Sequence, residues 1–483
     1  MAPERTVNKN LALLLLASAQ FVVILDASIV NVALPSIGSD LQIGEDSLSW
    51  VVNAYVLVFG GFLLLGGRLA DLLGRRRVFV AGLLLFGVAS FFGGLAQSEG
   101  QLIAARALQG LGGALLSPAA LSILINTFKE GSERNRALGV WGAVAGSGGA
   151  VGTLLGGVLT ETLGWEWVLF VNTPVCLAVA FFAARVLLES RDEQRPRLDI
   201  AGAVLITSGL GVLIYALVDA RDAGWGSAQT LGLIGGSLLL IAAFVAVELR
   251  IRQPLVPFGI FRNRTLTGAN VTAIFISMSL FSMFFFITLY MQRVLGYTAL
   301  EAGLAYIPLS VSIIAAAGAA SVLTTKIGFK PVLIGGLILV AGGLLWFSQV
   351  SPDGSYVSDV VFPSVLAGLG LGFSFVPVTI ASVSGTDPDE AGLASGLANT
   401  SQQVGGALGL GILASIANSR TADVIGTSPP PVALTEGFQS AFLVGSGFAL
   451  FGALLAAVLI ATRDSKSHRD AAQAGEVPVP IAA

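Results

Sequence analysis

The chain has 483 residues, 54% of them hydrophobic and only 11% charged, against roughly 25% charged in a soluble globular protein, so a single water-exposed globule is excluded. A net charge of −3 and a pI near 5.4 leave no basic excess for nucleic acid. One cysteine, Cys176, excludes an internal disulfide, and one histidine, His468 in the polar tail, excludes a histidine relay, metal site or catalytic triad in the apolar part.

Apolar runs of about 20 residues, enough to cross the roughly 30 Å hydrocarbon layer as helices, recur near 10–33, 48–67, 78–97, 101–126, 137–160, 167–188, 198–218, 229–250, 268–291, 302–323, 331–349, 360–384, 394–418 and 438–461. The reading is an all-α polytopic membrane protein of fourteen spans. The first run follows Arg5 and Lys9 but continues through Asp26 and Asn31 without a small-residue cleavage site, so it reads as a retained span. Lys and Arg are held on the cytoplasmic side. With the N-terminus inside, 22 of the 26 basic residues fall there, from Arg68, Arg75, Arg76 and Arg77 through Arg191, Arg195, Arg197 and Arg252 to Arg463, Lys466 and Arg469. Only Arg221, Arg293 and Arg420 fall outside, and both termini are expected in the cytoplasm. The inner loop at Asp387, Asp389 and Glu390 is the exception, with no basic residue.

Three weak echoes share an offset of about 256 residues: Arg68–Gly82 with Val322–Gly336, Leu108–Gly112 with Leu366–Gly370, and Gly148–Gly152 with Gly405–Gly409. The offset exceeds six spans by about two. The chain therefore divides into an N-terminal six-helix bundle (1–190), two inserted helices with their flanking loops (191–262), a C-terminal six-helix bundle (263–463) and a disordered tail (464–483). Secondary transporters are built of such parallel halves, with substrate held at their interface.

An ionised side chain in the hydrocarbon costs about 2.5–3.5 kcal/mol, and the clear cases are Asp26 and Arg106. Both lie roughly 7–11 Å below the outer interface at 1.5 Å per residue, a depth that permits pairing. The pair reads as a protonation switch or as a static ion pair, aided by Asn31, that orients the first span. In the fourth span Arg106, Gln109, Gly110, Gly113 and Ser117 share a face directed into the protein. In the fifth, Gly142, Gly146, Gly149, Thr153 and Gly156, flanked by Gly148, Gly152 and Gly157, form a stripe suited to tight packing, with hinging as the sharper reading. Between Gly67 and Gly74, Asp71 can pair with Arg75 and Arg76 or cap a neighbouring helix, a latch that would make and break as the cytoplasmic side closes and opens. No phosphate-binding G-x-x-x-x-G-K-[ST] occurs, and no catalytic cluster supports an enzyme.

Leu25-Asp-Ala-Ser-Ile-Val-Asn-Val-Ala-Leu-Pro35, Gly67-Arg-Leu-Ala-Asp-Leu-Leu-Gly-Arg-Arg-Arg77 and Arg106-Ala-Leu-Gln-Gly110 resemble motifs of the major facilitator superfamily, specifically its fourteen-helix drug:proton antiporters. Gly148–Gly157 is similar to that family's antiporter motif except that Thr153 replaces proline, which puts the bending of the fifth span in doubt. Trp165-Glu-Trp167 with Phe170-Val-Asn-Thr-Pro174 is similar to the segment before the sixth span, with Glu166 in place of arginine. The resemblance implies two rocking bundles that export hydrophobic or amphipathic, often cationic, molecules in exchange for protons, with drug or antibiotic resistance as the outcome. Asp26 would bind the proton or a cation, Arg106 would tune it, and Asp71 with Arg75 would form the latch. Asn53, Tyr55, Trp141, Met278, Phe281 and Phe285, with Asp26, Asn31 and Gln109, are the substrate-pocket candidates, each equally readable as interhelical packing. Partners are a small-molecule substrate, protons and the lipid bilayer, without nucleic acid, and the unit is a monomer in a bacterial inner membrane. The proton is the coupling ion and no other cofactor is expected. Export of an endogenous metabolite, or proton-coupled uptake, is the alternative.

Overall fold

The computed structural model describes residues 8–43, 50–129, 131–190, 199–251, 254–386 and 391–474. Arg5, Arg191, Arg195, Arg197, Arg252 and the acidic loop of Asp387, Asp389 and Glu390 lie outside them. Among the described residues the fold is helical. The first half contains α1 Lys9–Asp40, α2 Trp50–Leu73, α3 Arg75–Gly94, α4 Glu99–Thr127, α5 Ser132–Thr162, a short α6 Trp167–Phe170 and α7 Asn172–Val186. An inserted pair follows, α8 Ile200–Ala223 and α9 Ala228–Glu248. The second half contains α10 Arg264–Leu289, α11 Ala299–Ala305, α12 Ile307–Ile327, α13 Phe329–Phe347, α14 Phe362–Ser382, α15 Ala391–Ile425 and α16 Pro430–Leu459, and α17 Thr462–Ala474 ends the described chain.

Among the described residues twelve helices are long and apolar enough to cross a membrane, thirteen when the two parts of α5, bent by 42°, count as one span. The remaining apolar run is α15, which has the length but carries Asn399, Thr400, Ser401, Gln402 and Gln403 in its N-terminal half. Such helices satisfy their backbone polar groups internally, the condition for crossing lipid. Leu84, Phe92, Leu239, Leu345 and Leu454 are exposed, the surface a bilayer would cover.

The second half repeats the packing of the first. α1 packs on α5 as α10 packs on α15, and α4 lies on α2 and α3 as α14 lies on α12 and α13. The echoed glycines occupy equivalent contacts. A Cβ on Gly112 would sit 2.6 Å from the Phe86 amide nitrogen and 3.0 Å from the Gly82 carbonyl, and one on Gly370 would strike the Val340 amide nitrogen and lie 2.7 Å from the Gly336 carbonyl. Close backbone approach of this kind is what small residues allow between membrane helices. The inserted α8 bridges the halves, packing on α2 and α15. Trp50 stacks on Tyr215 at 5.7 Å, and Gly411 of α15 approaches Trp225 just beyond α8.

Two expectations are corrected. The tail is not disordered over residues 464–474, because Thr462–Ala474 forms α17. Its anchor is His468, only 8% exposed, whose Nε2 lies 3.1 Å from Asn135 Oδ1 of α5 while its ring packs on Phe329 of α13. Charge-rich composition read as a solvated segment, but a helix with one polar and one small-residue face docks where a neighbouring surface accepts it. Second, α5 bends without proline. The break falls between Gly149 and Val151, and there Thr153 Oγ1 donates to the Gly149 carbonyl at 3.0 Å, a back-bond that bends helices.

Candidate functional site

Asp26 is fully buried and accepts three side-chain hydrogen bonds. Arg106 Nη1 donates to Oδ2 at 2.6 Å, and Gln109 Nε2 and Asn172 Nδ2 donate to Oδ1 at 2.7 and 2.8 Å. Arg106 is fixed in turn by the Val51 carbonyl at 3.0 Å, by Gln109 Oε1 at 2.7 Å and by the Tyr55 ring, whose centroid lies 4.5 Å from Cζ. Ser90 Oγ accepts from Gln109 and Asn172, each at 3.1 Å, and donates to the Leu169 carbonyl at 2.8 Å. An ionised carboxylate is an acceptor only, and every group on Asp26 is a donor. A buried ion pair recovers its desolvation cost only when its remaining hydrogen-bonding capacity is filled, and this one is held from α1, α2, α3, α4 and α7.

Sequence produces this convergence locally. Arg106 and Gln109 are three residues apart and so share a helix face. Gly110 and Gly113 on the same stripe let α2 approach, with a Cβ at Gly110 falling 2.5 Å from the Tyr55 carbonyl oxygen. Asn172 reaches Asp26 because the chain breaks at Val171 between α6 and α7, where Pro174 has no N–H to return to the Phe170 carbonyl. On the neighbouring face of α1, Gly148, Gly152 and Gly156 of α5 pack against Ile24, Ser28 and Ile29, and a Cβ on Gly152 would fall on the Ser28 hydroxyl. Gly157 is buried beside them and Thr153 half-buried. At the other end of α5, Gly142 meets Val376 of α14. Gly142, Gly148, Gly152 and Gly156 therefore pack tightly, and the bend falls within the stretch packed on α1.

Of the latch candidates Asp71 and Arg75 come together, whereas Arg76 bonds to Leu187 and Glu189. Asp71 is fully buried; its Oδ1 accepts from Arg75 Nη2 at 2.8 Å and from the Gly392 amide at 3.1 Å, and Oδ2 from the Leu393 amide at 3.1 Å. An acid of the first half thus pairs with an arginine and caps the first turn of α15 in the second half, where the helix dipole favours negative charge. Gly67 is pressed against the Gly392 carbonyl, with no room for a Cβ, and Gly74 turns the chain at φ +111°, a conformation that glycine adopts without strain. Arg76 donates to the Leu187 carbonyl at 3.2 Å, and its amide to Glu189 Oε1 at 3.1 Å.

Other candidates separate. Asn31 is exposed and donates to the carbonyl of Ala27 in its own helix at 2.9 Å, so it does not aid the Asp26 pair. Its four-residue spacing favoured the local bond. Tyr55 and Gln109 belong to the charged cluster. Met278 and Phe281 lie against Gly409 and Gly406 of α15, Phe285 packs on Phe286 with ring centroids 5.2 Å apart, Trp141 is buried in α5 and Asn53 is half-buried. Sequence reading missed Asn172 and Ser90, and also Gln20 and Asn399, which lie 3.0 and 3.3 Å from Ser117 Oγ and carry a polar seam from one half to the other. Neutral polar residues have no rarity to mark them; only the Phe170–Pro174 segment pointed near Asn172.

The description "Major Facilitator Superfamily" matches residues 16–410. The chain is 42% identical to the cephamycin export protein CmcT of Amycolatopsis lactamdurans, over 94% of this chain and 93% of that one. It is 40% identical to the puromycin resistance protein pur8 of Streptomyces alboniger, over 92% and 90%, and 34% identical to the multidrug transporter protein MdtP of Bacillus subtilis, over 84% and 75%. The solved structure of the human organic anion transporter MFSD10 shares the fold, with a TM-score of 0.66 at 15% identity, covering 93% of this chain and all of that one. With two matching halves, an inserted pair and a family match across most of its length, the chain belongs to the major facilitator superfamily and is a multi-pass bacterial membrane transporter, not an enzyme.

Proposed function

We propose that this transporter exports hydrophobic or amphipathic, often cationic, small molecules of the antibiotic and drug class from the cytoplasm in exchange for protons. The observation that carries the reading is the buried Asp26, held as a carboxylate by Arg106, Gln109 and Asn172. An intramembrane acid ligated in this way can exchange its counter-charge for a proton, and a protein has little other reason to bear its cost. In this reading α15 crosses the membrane as the fourteenth span, both termini are cytoplasmic, and the protein works as a monomer in the inner membrane. Asp71 on the first turn of α15 then closes the cytoplasmic side. Opening it parts Asp71 from Gly392 and Leu393, while protonation of Asp26 at the other end weakens its hold on Arg106. One proton moving down 100 mV supplies about 2.3 kcal/mol, roughly a fifty-fold substrate gradient.

The relatives that carry the words cephamycin export and puromycin resistance favour an antibiotic-like cargo. In inverted vesicles energised with a pH gradient, wild-type protein is expected to accumulate a lipophilic cation and release protons as it does so, whereas Asp26→Asn is expected to lose coupled transport. Full coupled transport of every substrate tested by Asp26→Asn would overturn the assignment.

A further inference from the structure

The three groups that donate to Asp26 differ in what their other atoms do. Arg106 carries the counter-charge, and Gln109 cannot turn freely because its Oε1 already accepts from Arg106. Asn172 is only 1% exposed, and its Nδ2 serves both Asp26 and Ser90. Its Oδ1, buried beside them, has no hydrogen-bond partner among the described residues. Buried polar atoms are nearly always paired, and leaving one unpaired is costly.

The orphaned oxygen acquires a use when Asp26 takes a proton. A carboxylic acid has an O–H to donate, yet the groups now on Oδ1 are N–H donors, which cannot receive it. The other titratable groups near enough to feel the Asp26 charge are Arg106, Tyr55 and Cys176. Arg106 has no acceptor, and the Tyr55 hydroxyl points to the Val23 carbonyl at 3.4 Å. Turning the Asn172 carboxamide by half a revolution exchanges Nδ2 for Oδ1 and puts an acceptor where the donor stood, 2.8 Å from Asp26 Oδ1.

We propose that Asn172 is the amide switch of this proton site, a positioning residue that donates to ionised Asp26 and accepts from protonated Asp26. The inference rests on the reading of Asp26 as the proton carrier. The proton arrives from water, forms one O–H bond on Asp26 Oδ1 and leaves by the same bond; Arg106 keeps its protons throughout. Ser90, which accepts from Nδ2 in the ionised state, then faces an oxygen and turns its own proton from the Leu169 carbonyl to Asn172. Leu169 lies in α6, so the charge on Asp26 reaches the break between α6 and α7 through three neutral side-chain and backbone groups.

The test is infrared difference spectroscopy between high and low pH on the full chain in liposomes, with asparagine carboxamides labelled with carbon-13, alongside Asp26→Asn and Asn172→Leu, which matches the shape but offers no donor or acceptor. In the wild type, a hydrogen-bonded carboxylic acid band is expected together with a labelled amide change, and both vanish in Asp26→Asn. In Asn172→Leu the acid band moves to the position of an unbonded acid and the amide change disappears. Substrate-driven proton release falls by about tenfold, the effect of one hydrogen bond to a charged group, with KM for substrate unchanged. An acid band without an accompanying amide change in the wild type, a readout needing no Asn172 variant, overturns the switch and leaves proton coupling standing, as does an unaltered acid band in Asn172→Leu. Neither an acid band nor substrate-driven proton release in the wild type overturns the proton-coupling reading and the switch with it.

Discussion

At the residue scale, the charged cluster holds Arg106 so that its nearest chemical relative cannot replace it. Arg106 reaches Asp26 and Gln109 with Nη1 and the Val51 carbonyl with Nε of one planar group, which a lysine ammonium cannot reproduce. Arg106→Lys is expected to keep the fold and lose coupled transport about tenfold or more, by the loss of two oriented hydrogen bonds. Arg106→Ala leaves a buried carboxylate without counter-charge, and breaking a buried pair from one side costs about 3–5 kcal/mol. A clear fall in Tm in detergent is the expected result, with partial recovery in Arg106→Ala combined with Asp26→Asn. If the single and double variants melt together, the pair is not holding α1 to α4. Asp26, Arg106 and Asp71 were legible in the sequence because a charge in an apolar run is rare. Asn172 and Ser90 were not, because neutral polar residues occur on many helix faces and only the approach of α7 and α3 to α1 singles them out.

At the element scale, α5 and α17 each depart from what their residues suggested. α5 bends where Thr153 bonds back to Gly149, so the threonine does locally what a proline would do. Thr153→Pro is expected to retain transport within about twofold, while Thr153→Val, which keeps the shape but loses the back-bond, transports more slowly. Equal rates for wild type and Thr153→Val would disconnect the bond from the bend. α17 docks across both halves through His468. Burial, with the Arg134 guanidinium adding to it, pushes that imidazole down to about 4 from an ordinary value of about 6.5. The docked helix therefore holds His468 neutral, and the undocked helix binds a proton more readily. Docking is complete above about pH 6.5 and weakens as pH falls towards the lower value. Hydrogen exchange of residues 462–474 is expected to accelerate as pH falls through that window, after correction for intrinsic rates, and His468→Gln is expected to remove the pH dependence.

At the scale of the whole molecule, the two halves meet along a seam that runs from Asp71 on the first turn of α15 to Ser117 beside Asn399. The proposed export by rocking of the halves would separate these contacts. The single native cysteine is buried, so cysteines at Ser117 and Asn399 in a Cys176→Ala background can be joined by a short bifunctional thiol reagent. The joined protein is expected to bind substrate and fail to transport it, with transport restored by a reducible linker and reductant. Continued transport while joined would show that these positions do not part. Asp71→Asn keeps the shape of the latch but weakens its charge-assisted hydrogen bonds to Arg75 and to two amides of α15. It is expected to shift the population towards the state open at the basic end, seen as faster labelling of a cysteine placed at Ser395.

The sequence by itself determined the class, the sites of nearly all the helices and the division into repeated halves, because apolar length, charge position and glycine spacing are one-dimensional records of a bilayer's thickness and of close helix packing. The same rarity of charge marked Asp26 and Arg106. Only the tertiary structure decided that they touch, that Asn172 and Ser90 complete their shell, that Asn31 does not, that Asp71 caps a helix 321 residues away, and that the inserted α8 lies between the halves. These facts concern which faces meet, and a helix displays several polar faces while its neighbours select one. The tail shows the same limit from the other side: its charges forecast solvent, but a surface on α5 and α13 was there to receive it.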